Sequence, residues 1–515
     1  MIVDRRRSAL PNRRRLLAGA FSASILGAST LHAGRAMARP AGSRHGAAED
    51  IDRFVGKAMR RLKTAPGLAL TVVDDDGVVI AGGHGVADVR TGGRVDADTP
   101  FYIASATKSF TALAIAAMAA RGAVALDAPL ADWIGDTPLP VHIAAAVTLS
   151  DLLSHRSGVD NDPIAFRAAY SGDHSPALMQ TLLSRTAARP DEPHGVFGYS
   201  NAGYNLATTL LERRLGRDWR LMVRDEVLIP AGMMQTTAWI SDARRRGATA
   251  VGHFADRPGA PVVSPLQKVD ATMQSAGGLV STANDMARWL AIQIGGPDPT
   301  TAFAPGLVAS THRPLVVQDA KFGPYSRDGY GLGWQTGWYG DDRLIHHFGN
   351  FAGSRAHVSF MPDRRIGVAV LVNEDLFGGD IADVIANYAY DRLKDRSDLE
   401  AAYDAELDAL VARRDGRRQA VARARAERAA RPWSLSRPIQ TYVGTYESEA
   451  LGVMRIGLDA GRPTAAIGVL SATADPMGEP DALRIELVPF QGQTIQFETP
   501  DSLTFDGETF RRATL

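Results

Sequence analysis

Ser105 and Lys108 stand three residues apart, in Ser105-Ala-Thr-Lys108, at the head of an apolar run that reaches Ala120. On a helix that spacing puts both side chains on one side. A serine hydroxyl is a weak nucleophile until a neighbouring base takes its proton. Lysine can be that base, because burial lowers its pKa readily, whereas arginine keeps its proton throughout. Of the 57 Lys+Arg, 51 are arginine and 6 are lysine, and only Lys108 has a serine three positions before it. An arginine-rich composition that retains an amine here hints that the amine does chemistry. A Ser-x-x-Lys also arises by chance in a chain of this length, so other residues must decide.

Two more groups are candidates. Tyr199-Ser-Asn201 is the only Tyr-x-Asn in the chain. A tyrosine held near a lysine can exist partly as phenolate and relay protons, and an asparagine can donate to a substrate carbonyl. His347-Phe-Gly349 lies in a strand-like stretch, where a histidine is ordinarily a satisfied core or edge residue but can also contact substrate. His155, at the end of a short helix beside Gly158, reads as structural, with a catalytic role as the alternative. Gly198-Tyr-Ser200-Asn-Ala202 is close to a nucleophile elbow, but that turn needs an apolar strand before it. Arg189-Pro-Asp-Glu-Pro-His194 is no such strand, which argues against Ser200 as nucleophile. The 12 histidines show no metal-ligand spacing, and there is no Walker loop and no Gly-x-Gly-x-x-Gly. No metal or cofactor is expected.

The elements that position these residues follow from periodicity. Ile51–Leu62 has helical apolar spacing. Leu68–Asp74 and Val78–Ala81 read as strands joined by the turn Asp75-Asp76-Gly77. Phe110, Leu113, Ile115 and Met118 point to different sides of a helix, so the helix after Ser105 should be buried, with Arg121 and Gly122 ending it. Its N-terminal N–H groups would favour an alkoxide at Ser105. Thr148 and Asp151 form a capping box, and Thr282 caps a helix from Ala283 to Ile294. His347 precedes two further strands, His357–Phe360 and Ile366–Val372. Ile381–Leu393 is expected as the last helix of this domain, and Ser397–Leu410 as an amphipathic helix. Arg413–Arg431 reads as a solvated helical connector. From Tyr442 to Arg512 short strands alternate with Gly, Asp and Pro, the texture of a small antiparallel β domain. Antiparallel strands ahead of the Ser105 helix argue against a nucleotide-binding sheet.

The N-terminus reads as an address. Arg13-Arg14-Arg15-Leu16-Leu17 is a twin-arginine pattern, followed by a modest apolar run to Leu31 and the small-residue site Ala36-Met-Ala38. The run is too short and too rich in Ser and Gly to span a bilayer stably. Cleavage after Ala38 would remove seven arginines and Asp4, a change of −6 from a net charge of +0. The mildly acidic remainder argues against nucleic-acid binding. With Cys 0, thiol nucleophiles, zinc–thiolate sites and disulfides are all excluded. The expected layout is therefore a signal peptide over 1–38 directing the chain to the periplasm or outside, a catalytic domain over 48–395, a connector over 396–432 and a β domain over 433–515. All candidate residues precede Lys394, so the β domain should be dispensable for chemistry.

Taken in order, Ser105-x-x-Lys108, Tyr199-x-Asn201 and His347-x-Gly349, at intervals of 94 and 148 residues, resemble the penicillin-recognising serine hydrolases. These are class C β-lactamases, DD-peptidases, D-aminopeptidases and related esterases, and the Ser-x-x-Lys motif is a known mark of the group. The stretches TLSDLLSHRSGV, FGYSNAGYNLA, SAGGLVSTANDMARWL and YGLGW match as well, and the likeness covers roughly Asp50 to Lys394. TYVGTYES resembles the lipocalin-like domain often appended to this family. The resemblance implies an α/β (α+β) fold: an antiparallel sheet flanked by helices, an all-helical region, and the active site between them. It implies Ser105 as acyl-forming nucleophile, Lys108 as its base and Tyr199 as proton shuttle. Asn201 would bind the substrate amide, and the backbone N–H groups of Ser105 and Asn350 would form the oxyanion hole. His347 stands where class C β-lactamases carry lysine, and a neutral imidazole holds a carboxylate less firmly than an ammonium does. That departure points toward DD-peptidases and D-aminopeptidases and away from efficient β-lactam hydrolysis. The substrate would be a small molecule or peptide with an amide or ester bond. The alternatives are a β-lactamase, a β-lactam or peptidoglycan binder that turns over negligibly, or an esterase using Ser200. The oligomeric state has no signature.

Overall fold

The computed structural model describes residues 41–295 and 303–513. The twin arginines and the cleavage site at Ala36–Ala38 lie outside the described residues.

Helix α1 (Ala41–Leu62) starts ten residues before its apolar periodicity does. Strands β1 (Gly67–Asp74) and β2 (Gly77–Gly85) form the expected hairpin. Helix α2 (Thr107–Ala120) is apolar all round and buried along most of its length. Helix α3 (Leu149–Leu153) carries the Thr148–Asp151 capping box. Helix α4 (Asn201–Leu215) follows, then α5 (Ala283–Gln293) with Thr282 as cap. A run of antiparallel strands comes next: β3 (Val316–Phe322), β4 (Tyr325–Tyr330), β5 (Gln335–Tyr339), β6 (Asp342–Phe351), β7 (Ser354–Met361) and β8 (Ile366–Val372). Helices α6 (Gly378–Leu393) and α7 (Leu399–Ala429) complete the first domain.

The eight strands form one antiparallel sheet in the order β2-β1-β8-β7-β6-β5-β4-β3. Alternation along β1 divides its side chains. Leu68, Leu70 and Val72 face α1, α6 and the first half of α7, while Ala69 and Val73 face the helical region with Phe110, Leu113 and Trp289. Both faces of β8 are covered, which is why Ile366–Val372 is apolar at consecutive positions. Burial of so much apolar surface on two sides holds α2 rigidly between the sheet and the helices.

The Arg-rich stretch is helical and largely solvent-facing, as expected, and it also docks on the first domain. It continues α7 as a single 31-residue helix. Arg417 Nη1 donates to the Leu376 carbonyl at 2.8 Å, Arg418 Nε donates to the Ala255 carbonyl at 2.8 Å, and Arg425 pairs with Asp256. The helix docks through charge-assisted bonds to loop carbonyls, which leave no apolar period to read.

The C-terminal domain is a nine-stranded antiparallel sheet between Gly444 and Arg512. The strands at its two ends, Leu470–Thr473 and Asp475–Pro476, are neighbours in sequence, so the sheet curls almost into a barrel. Its core is shared: Phe166, Ala169 and Tyr170 of the first domain pack among Tyr446, Ile467, Phe505 and Phe510. Arg167, buried to 3 %, donates from Nε to Ala450 O at 2.6 Å and from Nη2 to Glu449 O at 3.2 Å.

Candidate active site

Ser105 lies in a 3-10 turn, Ala104–Ala106, that runs directly into α2. The residue before it, Ala104, has φ +46°, a left-handed conformation that an alanine adopts at a cost of about 1–3 kcal/mol. The turn leaves Ser105 partly exposed at the end of an otherwise buried helix.

Lys108 is fully buried one turn further on. Its Nζ lies 2.7 Å from Asn201 Oδ1, 2.7 Å from the Ala276 carbonyl and 3.2 Å from Ser105 Oγ. Among the described residues no carboxylate pairs with it, and burial holds its pKa well below the usual lysine range. A neutral amine has two N–H groups and one lone pair. The two carbonyl-type oxygens can only accept, so they take both N–H groups and leave the lone pair for the Ser105 hydroxyl. The segment bearing Ala276 is held in place, with Thr111 Oγ1 donating to Ser275 O at 2.8 Å.

Tyr199 and Asn201 reach the same point from the start of α4. Ser200 caps that helix, its Oγ accepting from Gly203 N, and its own N–H donates to His155 Nδ1 at 3.2 Å. Ser200 is thus a buried capping residue, which disposes of the elbow reading. Tyr199 stands close enough to Ser105 for the serine to lower its pKa, and its ring centroid is 4.9 Å from Lys108 Nζ. Burial pushes its phenol up to about 12, against smaller opposing effects of Ser105 and of Arg327. The expectation of a partial phenolate is therefore corrected. At neutral pH burial keeps Tyr199 a phenol.

His347 lies on β6 facing the same cleft. Its Nε2 is 3.0 Å from Tyr330 Oη, and burial holds its pKa well below the usual histidine range, so it is neutral. Gly349 explains its own identity: a Cβ there would lie 2.0 Å from the Ile103 carbonyl. The strand therefore runs in contact with the residues just before Ser105, which brings the exposed Asn350 to the rim. His155 fills the floor, with ring centroids 4.4 Å from Tyr199 and 4.7 Å from Tyr330. It positions the tyrosines.

Sequence reasoning missed the Ala276 carbonyl and the Tyr204 ring, 5.4 Å from Lys108 Nζ. Backbone acceptors have no residue signature. The flanking motifs SAGGLV and YGLGW were the available signals, and they supply Ala276 and Tyr330.

A second constellation also came to light only in the structure. His357 Nδ1 is 2.8 Å from Asp383 Oδ1, its Nε2 is 2.7 Å from Ser359 Oγ, and that hydroxyl is 2.8 Å from Tyr390 Oη. Ser359 and His357 are each 0 % exposed, so no substrate reaches them. Among the described residues no three His, Asp or Glu side chains gather as metal ligands, and no helix is long and apolar enough to cross a membrane.

Similarity agrees with this geometry. Unguisins hydrolase ungD of Aspergillus violaceofuscus (strain CBS 115571) is 25% identical over 395 residues, 69% of this chain and 68% of its own. Protein flp of Staphylococcus aureus (strain MW2) is 25% identical over 314 residues, 60% of this chain and 59% of its own length. Among solved structures, the octameric penicillin-binding protein homologue from Pyrococcus abyssi superposes with a TM-score of 0.56 at 21% identity, over 90% of this chain and 99% of that one. The D-amino acid amidase from Ochrobactrum anthropi SV3 gives 0.54 at 20% identity, over 69% and 98%. These two establish likeness of fold. The Beta-lactamase family model matches residues 33–389, most of the chain, and the protein belongs to that family.

Proposed function

We propose that this protein is an exported serine hydrolase that cleaves amide or ester bonds, of the D-amino-acid peptide or amide kind, through an acyl-enzyme on Ser105. The observation that carries the reading is the Lys108 amine, buried without a counter-charge and held by two acceptors with its lone pair toward Ser105 Oγ. Lys108 takes the hydroxyl proton as Ser105 Oγ attacks the substrate carbonyl carbon. The resulting oxyanion lies between the backbone N–H groups of Ser105 and Asn350, and such donors are typically worth about 2.7–4 kcal/mol each. Tyr199, a phenol beside Ser105, hands a proton to the leaving amine or alcohol as the carbon–heteroatom bond breaks, and takes one back from the Lys108 ammonium, which returns both groups to their starting states. Asn201 positions the substrate amide. Water then attacks the acyl-enzyme, with the same groups moving its proton, and Ser105 is restored. Neutral His347 offers a hydrogen bond rather than a charge. The D-amino acid amidase among the proteins of similar fold favours amides.

The test is a panel of D-Ala-D-Ala peptides, D-amino-acid amides, short esters and a chromogenic cephalosporin, with the acyl-enzyme located by mass spectrometry. Turnover of at least one amide or ester, with the adduct on Ser105, is expected. A stoichiometric burst with no steady state would mark a binder instead, and an adduct on another residue would overturn the reading. Export is read from precursor processing: Arg13→Lys with Arg14→Lys should trap precursor, and unimpaired secretion would remove that part of the proposal.

A further inference from the structure

A cavity of about 290 Å³ lies beside the segments that carry Ser105 and Asn350. Its wall includes Tyr102, three residues before the nucleophile, and Ala352, two residues after Asn350, together with Arg244, Thr249, Gln267 and Lys268. The wall holds Arg244 and Lys268 and no carboxylate. Lys268 is buried, and its Nζ donates to Ala169 O at 2.7 Å and Thr272 O at 2.9 Å, leaving one N–H near the face of Phe351, whose centroid is 4.1 Å away. Among the described residues no carboxylate pairs with Lys268. Arg244 donates from Nη2 to Lys268 O at 3.0 Å. The Thr249 hydroxyl is buried with no partner.

Burial without a counter-charge lowers the Lys268 amine to about 7, and the unpaired buried Thr249 hydroxyl carries its own cost. An anion entering the cavity would offset both. The cavity is also preformed: His253 N donates to Gly353 O at 3.1 Å, and a Cβ on Gly252 would lie 2.1 Å from Ala352 O. That contact ties the wall to the turn beyond Asn350.

We propose that this cavity binds a carboxylate carried on the acyl part of the substrate, so that Ser105 is acylated preferentially by acyl groups with an anionic arm. The assignment rests on the Ser105 reading above. Arg244 and Lys268 supply the charge, and Thr249 and the free N–H of Lys268 supply hydrogen bonds.

Two matched activated esters test it: the 4-nitrophenyl monoester of glutaric acid and its neutral counterpart, in which the free acid is a primary amide. The wild-type kcat/KM ratio should favour the acid by about tenfold or more, the usual scale for a charge-assisted bond. Arg244→Glu should bring the ratio to one or below, and Arg244→Lys should retain most of the preference. Independently, glutarate alone should bind the Ser105→Ala protein in calorimetry and fail to bind once Arg244→Glu is added. If both esters acylate Ser105 at equal kcat/KM and glutarate does not bind, the cavity assignment is overturned while the hydrolase stands. If neither ester acylates Ser105, the hydrolase reading itself falls and takes the acyl-group assignment with it.

Discussion

Among the described residues two serine hydroxyls are hydrogen-bonded to a nitrogen base, Ser105 to Lys108 and Ser359 to His357, on opposite faces of one sheet, and the two fare differently. Ser359, His357 and Asp383 have distances a hydrolytic triad would need, yet the serine and histidine are sealed between β7 and α6, with the Tyr390 hydroxyl beside Ser359. Ser105 has a less familiar base, but it stands on a turn with one edge open and its base desolvated without a counter-charge. Hydrogen-bond geometry alone does not make a nucleophile. An open face for the substrate and a base kept neutral by its surroundings do.

The largest effect should separate the two serines outright. Ser105→Ala is expected to abolish labelling by a fluorescent penicillin or fluorophosphonate, while Ser359→Ala labels at the wild-type rate. The second variant should lose about 1–3 kcal/mol of stability, because its buried partners are left unpaired. Labelling that disappears with Ser359 instead would reverse the comparison.

Tyr199→Phe should lower turnover by about 10²–10⁴-fold, the usual range for a lost proton-transfer group, with folding intact. A loss under threefold would move the leaving-group proton to another donor.

The pH profile sharpens the contrast further. Lys108 must be neutral to act, and burial lowers its pKa, so acylation should rise with pH and level off well below 10.5, the ordinary lysine value. A rate still climbing at that pH would show an ordinary, charged lysine. The smallest effect concerns the domain junction. Arg167→Ala should cost about 1–3 kcal/mol by orphaning the Ala450 and Glu449 carbonyls, read as a fall in melting temperature with little change in labelling.

Much of the active face was legible because it depends on local spacing. Ser105 and Lys108 share a helix face, Tyr199 and Asn201 flank a cap, and His347 alternates with neighbours on a strand. What was hidden depends on residues far apart in sequence or on backbone atoms. The Ala276 carbonyl could not announce itself, and the neutral state of Tyr199 follows from burial that only packing creates. Ser359 and His357 sit two apart on an ordinary strand, while their carboxylate comes from a separate helix. Phe166 and Tyr170 look like core residues of the first domain but fill the mouth of the second. The docking bonds of the α7 arginines were not legible, because docking through carbonyls leaves no hydrophobic period.

The central claim is that Lys108 acts through a neutral amine, and one measurement addresses it directly: the rate at which Lys108→Arg is acylated at Ser105. Arginine keeps the cation and most of the length but cannot take up a proton. The account predicts acylation slower by at least about 10²-fold, with melting and circular dichroism close to wild type. Acylation of a folded Lys108→Arg protein at the wild-type rate would contradict it, leaving Lys108 a structural cation and Ser105 in need of another base.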